Sequence, residues 1–313
     1  MRKTRMLAVG ATALALLISA CQPGDSSSPS PSSGEPSTPA ELPTVLVGSA
    51  NFDESAIVAE IYAQALEAAG FTVERHLYFG TRETTLPALE SGELNLMPEY
   101  LGGLATGIDA AQSADPAESL AAVSEALAGI GLVAYFYSPG QDSDGFAVTA
   151  ETAAEFGLET MSDIAPIADQ FTWGLTPECA ERELCGIGLK AVYGIDMAAI
   201  PVENLPPCSA AMGEAVNAGA IDVARVCTTQ PAIAQFNLVV LEDDRGLNPA
   251  QNLVPVVTGD LAEAGGAHLE STLNAVSAEL TTEDLIELNL LVSVDLQDLE
   301  DTVRTWLEDR GLI

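Results

Sequence analysis

The sequence predicts an α/β protein of two lobes with a ligand cleft between them, and three observations carry that prediction. From Thr44 onward, short apolar runs alternate with amphipathic helical stretches, the pattern of strands covered by helices. After the loop Ser138 to Gly145 the same alternation starts afresh at Phe146. A chain of 313 residues that is 48% hydrophobic and 18% charged can bury real cores, and its length allows about two lobes of ordinary domain size.

The elements follow in order. Thr44 to Val47 reads as the first strand and breaks at Gly48-Ser49-Ala50-Asn51. A helix then runs from about Asp53 to Ala69, with Ile57, Ile61, Ala65 and Ala69 on one face, and Gly70 stops it. Val73 to Leu77 is a second strand, the turn Gly80-Thr81-Arg82-Glu83 opens a helix ending at Gly92, and Leu94 to Met97 is a third strand. Asp115-Pro116-Ala117-Glu118 has a cap residue followed by proline at the first helical position, so a helix runs from there to near Gly129. Leu132 to Tyr137 is strand-like and enters the loop. Beyond it, Phe146 to Thr149, Phe171 to Leu175, Ile200 to Val202, Ile221 to Cys227, Leu238 to Leu241 and Val254 to Val257 read as strands. The tail after Leu261 is helical, with Thr281 as a cap and a last amphipathic helix from about Leu299 to Asp309. In open α/β sheets the ligand lies beyond the carboxyl ends of the strands. The turns at 48–53, 80–84, 98–103, 141–145, 206–210 and 227–231 are therefore the places where a site would form.

The N-terminus carries an address. Arg2, Lys3 and Arg5 precede an apolar run from Met6 to Ile18, too short to span a bilayer, which has the layout of a signal peptide over residues 1–20. Ile18-Ser19-Ala20-Cys21 resembles the lipobox of bacterial lipoproteins, in which cleavage precedes an acylated cysteine, here Cys21. Of the 22 residues from Gln22 to Pro43, seven are Ser and six are Pro, so 21–43 reads as a lipid anchor and an extended tether. An ordinary signal peptide with a chance cysteine is the alternative.

Charge excludes partners. Losing the leader leaves 8 basic residues against 46 acidic ones, which rules out nucleic acid and argues against adsorption to an anionic membrane surface. The membrane is then reached through the anchor alone. Cys179, Cys185, Cys208 and Cys227 form an even set in an exported chain and suggest disulfides. Three connectivities are open, of which Cys179–Cys185 with Cys208–Cys227 is the most economical; a zinc site of four thiolates is the alternative, without the close CxxC spacing such sites use.

Catalytic motifs are missing from the sequence. There is no GxSxG elbow, HExxH, Walker A motif or GxGxxG after a strand, and His76 and His268 stand isolated as surface or packing residues. The expectation is a binding protein without a cofactor or metal. A secreted α/β hydrolase and a structural adhesin are the competing classes.

At the strand-to-helix turns the sequence becomes specific. Val47-Gly48-Ser49-Ala50-Asn51-Phe52-Asp53-Glu54, Gly80-Thr81-Arg82-Glu83, Pro98-Glu99-Tyr100-Leu101-Gly102, Phe146-Ala147-Val148-Thr149, Lys190-Ala191-Val192-Tyr193-Gly194, Thr228-Thr229 and Leu238-Val239-Val240-Leu241-Glu242-Asp243-Asp244 appear in colinear order. The series resembles the glycine betaine, carnitine and choline substrate-binding proteins of ATP-binding-cassette (ABC) importers, over about Thr44 to Ile313. The resemblance implies a two-lobe type II periplasmic-binding-protein fold, with 44–143 as lobe one, 144–233 as lobe two and 234–313 returning to lobe one. It also implies a permease and an ATPase as partners. The receptor is expected to be monomeric and, through the Cys21 anchor, to sit on the extracytoplasmic face of the cell membrane.

A quaternary ammonium has no N–H, so a protein holds it by aromatic faces. Tyr100 matches a cage tyrosine of the family, and Phe52 could add a ring while the amides of Asn51, Phe52 and Asp53 meet an anionic group. Thr81, Arg82 and Glu83 in the second turn, Asp144 in the lobe-to-lobe loop, and Cys227, Thr228 and Thr229 complete the candidate set. Cys227-Thr228-Thr229-Gln230 stands where the family often carries Tyr or Phe, and Tyr135, Phe136, Tyr137 and Trp173 are possible substitutes for that ring. Arg82 would pair a ligand carboxylate and favour glycine betaine or carnitine, whereas Glu83 would suit the hydroxyl and charge of choline. The preferred ligand is a zwitterion such as glycine betaine, with choline or an unrelated small solute as alternatives.

Overall fold

Two five-stranded sheets organise the chain. The computed structural model describes residues 42–206 and 208–313, so the leader, Cys21 and nearly all of the tether lie outside the described residues. The first sheet begins with β1 (Thr44–Ala50), α1 (Asp53–Ala68), β2 (Thr72–Gly80), α2 (Arg82–Ser91) and β3 (Leu96–Tyr100). It continues with α3 (Leu101–Gly107), α4 (Pro116–Ala128) and β4 (Leu132–Ala134). The second sheet is built from β5 (Asp144–Thr149), α5 (Ala150–Phe156), α6 (Met161–Ile164), β6 (Trp173–Leu175), β7 (Val202–Asn204), α7 (Ala210–Asn217), β8 (Val223–Cys227), α8 (Ala232–Gln235) and β9 (Leu238–Leu241). The chain then returns with β10 (Leu253–Thr258), α9 (Gly259–Glu279), α10 (Thr282–Asn289) and α11 (Leu299–Asp309).

The strand orders are β2-β1-β3-β10-β4 and β7-β6-β8-β5-β9. In the first sheet β1 runs parallel to β2 and β3 while β10 is antiparallel to β3 and β4; in the second, β6 is parallel to β7 and β8 while β5 is antiparallel to β8 and β9. Both sheets belong to one compact unit spanning Glu41–Ile313. Two crossovers join them side by side, with Gln141 bridged to Asn252 and the Leu253 amide donating to the Gly140 carbonyl.

The return comes later than residue 234. β9 pairs with β5 from Phe146↔Leu241 to Thr149↔Leu238, which completes the edge of the second sheet. Beyond it, Asp243 accepts from the Tyr193 hydroxyl and Asp244 from Ser162, so the chain stays bound to the second lobe until the crossover. Two shorter adjustments accompany this. Pro98-Glu99-Tyr100 closes β3 instead of forming a turn, and the expected strand Leu132 to Tyr137 ends at Ala134.

Local chemistry sets the helix ends. Asp115 accepts from the Ala117 and Glu118 amides at the start of α4, and Thr281 forms a reciprocal capping box with Asp284. Gly92 closes α2 at φ 77°, a left-handed conformation that glycine adopts without penalty. α1 departs from the one-face expectation: every residue from Glu54 to Leu66 is buried, because the sheet covers one side while α9, α10 and α11 cover the others. Its buried polar groups are consequently partnered. Glu60 takes Arg75 at 2.7 Å, and Gln64 donates to Glu60 and to the Glu300 carbonyl.

The four described cysteines form Cys179–Cys185 and Cys208–Cys227, with Cα atoms 5.2 and 4.9 Å apart. That excludes the four-thiolate zinc alternative. His268 lies within α9, where Nε2 meets the Ala69 carbonyl that ends α1 and the ring stacks on Phe71.

Candidate functional site

β1 delivers Asn51 and Phe52 to the carboxyl edge of the first sheet, β2 delivers Thr81 and Arg82, and β3 delivers Tyr100. These residues, with Glu83, line one cavity of about 370 Å³ whose wall also includes Ser55, Thr85, Met97 and Glu99. Local hydrogen bonds fix the entry to α1: Ser49 Oγ accepts from the Tyr78 amide, Ser55 Oγ from the Ala50 amide, and the Asn51 amide donates to the Gly80 carbonyl. The Asn51 amide is therefore unavailable to an anion, contrary to the expectation for that turn.

Two rings face each other across this edge. Phe52 is 44% exposed, and its ring centroid lies 6.2 Å from that of Tyr100 with the planes 33° apart. The Tyr100 hydroxyl donates to Glu54 Oε1 at 2.6 Å. Burial, together with the charge of Glu54 and its hydrogen bond, holds the phenol well above its usual range, so it remains a donor.

Arg82 does something other than wait for a ligand. Its Nε and Nη2 donate to the Glu99 carboxylate, the shortest contact being 2.7 Å. The side chain lies along α3 over Gly103 and Gly107, where an added Cβ would come within 2.9 Å of Nη2 and 2.7 Å of Cδ. Two glycines thus make room for the arginine, and its fork is closed on a protein carboxylate. Glu83 is exposed and accepts from the Thr81 hydroxyl at 2.5 Å, which holds its carboxyl below the ordinary range.

The second-lobe candidates are elsewhere. Asp144 and Thr228 line a separate cavity of about 200 Å³ together with Gln141, Ser143 and Asn248. Asp144 accepts from Arg225 Nη2 at 2.6 Å, and the Thr228 hydroxyl joins the crossover by accepting from the Ser143 amide and donating to the Gln141 carbonyl. Cys227 is held in its disulfide, Thr229 is buried, and neither lines either cavity. Among the possible substitutes for the absent ring, Trp173 is fully buried in the second core, edge-on to Phe146. Tyr135 packs against the α1 and α9 core, while Phe136 is 58% exposed and stacks on Tyr137.

Three further side chains were not among the site candidates, although Glu54 ends the first matched segment and Asp142 lies in the turn 141–145. Glu54, only 5% exposed, reads in the sequence as an ordinary acidic residue in a first helical turn. Its Oε2 accepts from Asn289 Nδ2 at 2.6 Å, and the same nitrogen donates to the Thr229 carbonyl at 3.1 Å. Asp142, in the crossover, has Oδ1 buried without a hydrogen-bond partner among the described residues. Burial, and then the charge of Glu54, push its carboxyl up to about 7.

This architecture has known relatives. Residues 43–309 match the family described as the substrate-binding domain of ABC-type glycine betaine transport systems. The chain belongs to this family. The family is a substrate-binding transport protein, not an enzyme, and it works with the permease of an ABC importer. Among curated relatives, the carnitine transport binding protein OpuCC of Listeria monocytogenes is 27% identical over 277 residues, covering 85% of this chain and 86% of that protein. Apo YehZ of Escherichia coli superposes with a TM-score of 0.78 at 21% identity, covering 86% of this chain and 99% of that one. A glycine betaine/carnitine/choline ABC transporter structure gives a TM-score of 0.76 at 23% identity, with the same coverage. The fold is accordingly the two-lobe type II periplasmic-binding-protein fold. No described helix is long and apolar enough to cross a membrane.

Proposed function

We propose that this family member is a monomeric receptor anchored through Cys21 to the extracytoplasmic face of the membrane. It captures a small quaternary ammonium solute and hands it to a permease driven by an ATPase subunit. The observation that carries the ligand class is the Phe52 and Tyr100 ring pair on the wall of the 370 Å³ cavity, since aromatic faces are how a cation without N–H groups is held. Glycine betaine and choline differ at the carboxylate. Because Arg82 already grips Glu99, its fork is not open to a ligand carboxylate, which favours choline, a cation with no carboxylate, over a zwitterion. Calorimetric titration with betaine, carnitine, choline and proline tests the reading: choline binds and returns chemically unchanged, whereas turnover of a bound compound, or binding of none of the four, refutes it. Cys21→Ser tests the anchor, which is wrong if the variant still fractionates as a processed membrane protein.

A further inference from the structure

Buried carboxylates in this protein are mostly matched by a cation. Glu60 has Arg75, Glu99 has Arg82, and Asp284 has Arg310. Glu54 is the exception that touches the site. Its two oxygens are taken by the Tyr100 hydroxyl and the Asn289 amide, both neutral, and no Lys, Arg or His of the described residues forms a salt bridge with it. A buried carboxylate that lacks a counter-charge is costly, and the cost falls when a cation arrives nearby. The route for such a cation is the face of Tyr100, which lines the cavity while its hydroxyl reaches back to Glu54.

The hydrogen bond has a second consequence. A phenol that donates to a carboxylate makes a short charge-assisted bond, which fixes the ring and draws electron density toward it, strengthening the negative face that attracts a cation. Asn289 holds the other oxygen from the end of α10, so the carboxylate cannot rotate away from Tyr100 without breaking a contact that also reaches Thr229 of the second lobe.

We propose that Glu54 is a positioning residue that turns Tyr100 from a shape-filling ring into a charge-selective receptor for a quaternary ammonium. This rests on the reading of the cavity given above and assigns its selectivity to a residue that lines neither lobe's cavity. The role is distinct from packing, because it acts on the charge of the ligand and not on its shape.

The test compares choline with 3,3-dimethylbutan-1-ol, which has the same shape with carbon in place of the charged nitrogen. Titrations use the wild-type protein and the Glu54→Gln and Tyr100→Phe variants. Glu54→Gln keeps an oxygen acceptor for the phenol and removes the charge, so choline affinity should fall by about tenfold or more while affinity for the neutral alcohol stays unchanged. Tyr100→Phe keeps the ring and removes the donor, and should lower the same ratio; adding Glu54→Gln to it should then change the ratio less than Glu54→Gln does alone. Equal losses for both compounds, or an unchanged ratio in Glu54→Gln, would overturn the role of Glu54. A wild-type protein that binds neither compound would instead overturn the reading of the cavity, and the role with it.

Discussion

Arg82 lies flat on two glycines and closes its guanidinium fork on Glu99, whose side chain is 3% exposed. An arginine expected to meet a ligand carboxylate is thereby a wall of the cavity. Removing it leaves a buried carboxylate without a counter-charge, its other hydrogen bond being the one it accepts from the Tyr100 amide. Arg82→Ala should cost about 2 to 3 kcal/mol in chemical denaturation, below the range for fully buried pairs because the arginine is partly exposed. Glu99→Gln in the same chain should recover part of that loss.

Asp142 sets a pH dependence whose sign is opposite to that of a paired surface carboxylate. Its folded value, about 7, lies above the ordinary 3.8, so the folded state binds the proton more tightly than the unfolded chain. The contribution is fully present below about pH 4 and is lost as pH rises through 7. Asp142→Asn should therefore stabilise the protein by an amount that grows from pH 4 to pH 7 and is flat above it. Thermal melts of the two proteins across that range check the slope.

Cys208–Cys227 spans 19 residues in sequence, against 6 for Cys179–Cys185. The wider loop restricts the unfolded chain more, so replacing both Cys208 and Cys227 by serine should cost about 3 kcal/mol and the equivalent change at Cys179 and Cys185 about 2. Denaturant midpoints measured without reductant give both values.

Tyr100→Ala removes one face of the ring pair and the donor to Glu54. Binding of a quaternary ammonium should weaken by about 0.5 to 2 kcal/mol or somewhat more. Phe52→Ala, which leaves the Tyr100 and Glu54 bond intact, should weaken it less. Titration of the two variants with the same ligand separates them.

What the sequence determined by itself was local or repetitive. Asp115 and Thr281 cap their helices through bonds that close within three residues, so residue type at one position and proline or acid a few positions on were enough to place them. The alternation of strands and helices marked both sheets, and the strand ends at 51–52, 81–83 and 100 named six residues that do share a cavity. Tertiary structure decided the rest, because the deciding contacts join residues far apart in the chain. β9 belongs to the second sheet since its partner is β5, nearly a hundred residues earlier, and no pattern inside Leu238–Leu241 encodes that choice. α1 is buried all round because three helices from the C-terminal end close over it. Arg82 is committed to Glu99, and Glu54 meets Tyr100 at a separation of 46 residues and Asn289 at 235. A carboxylate's role depends on which charges surround it, and those neighbours are assembled only when the chain folds.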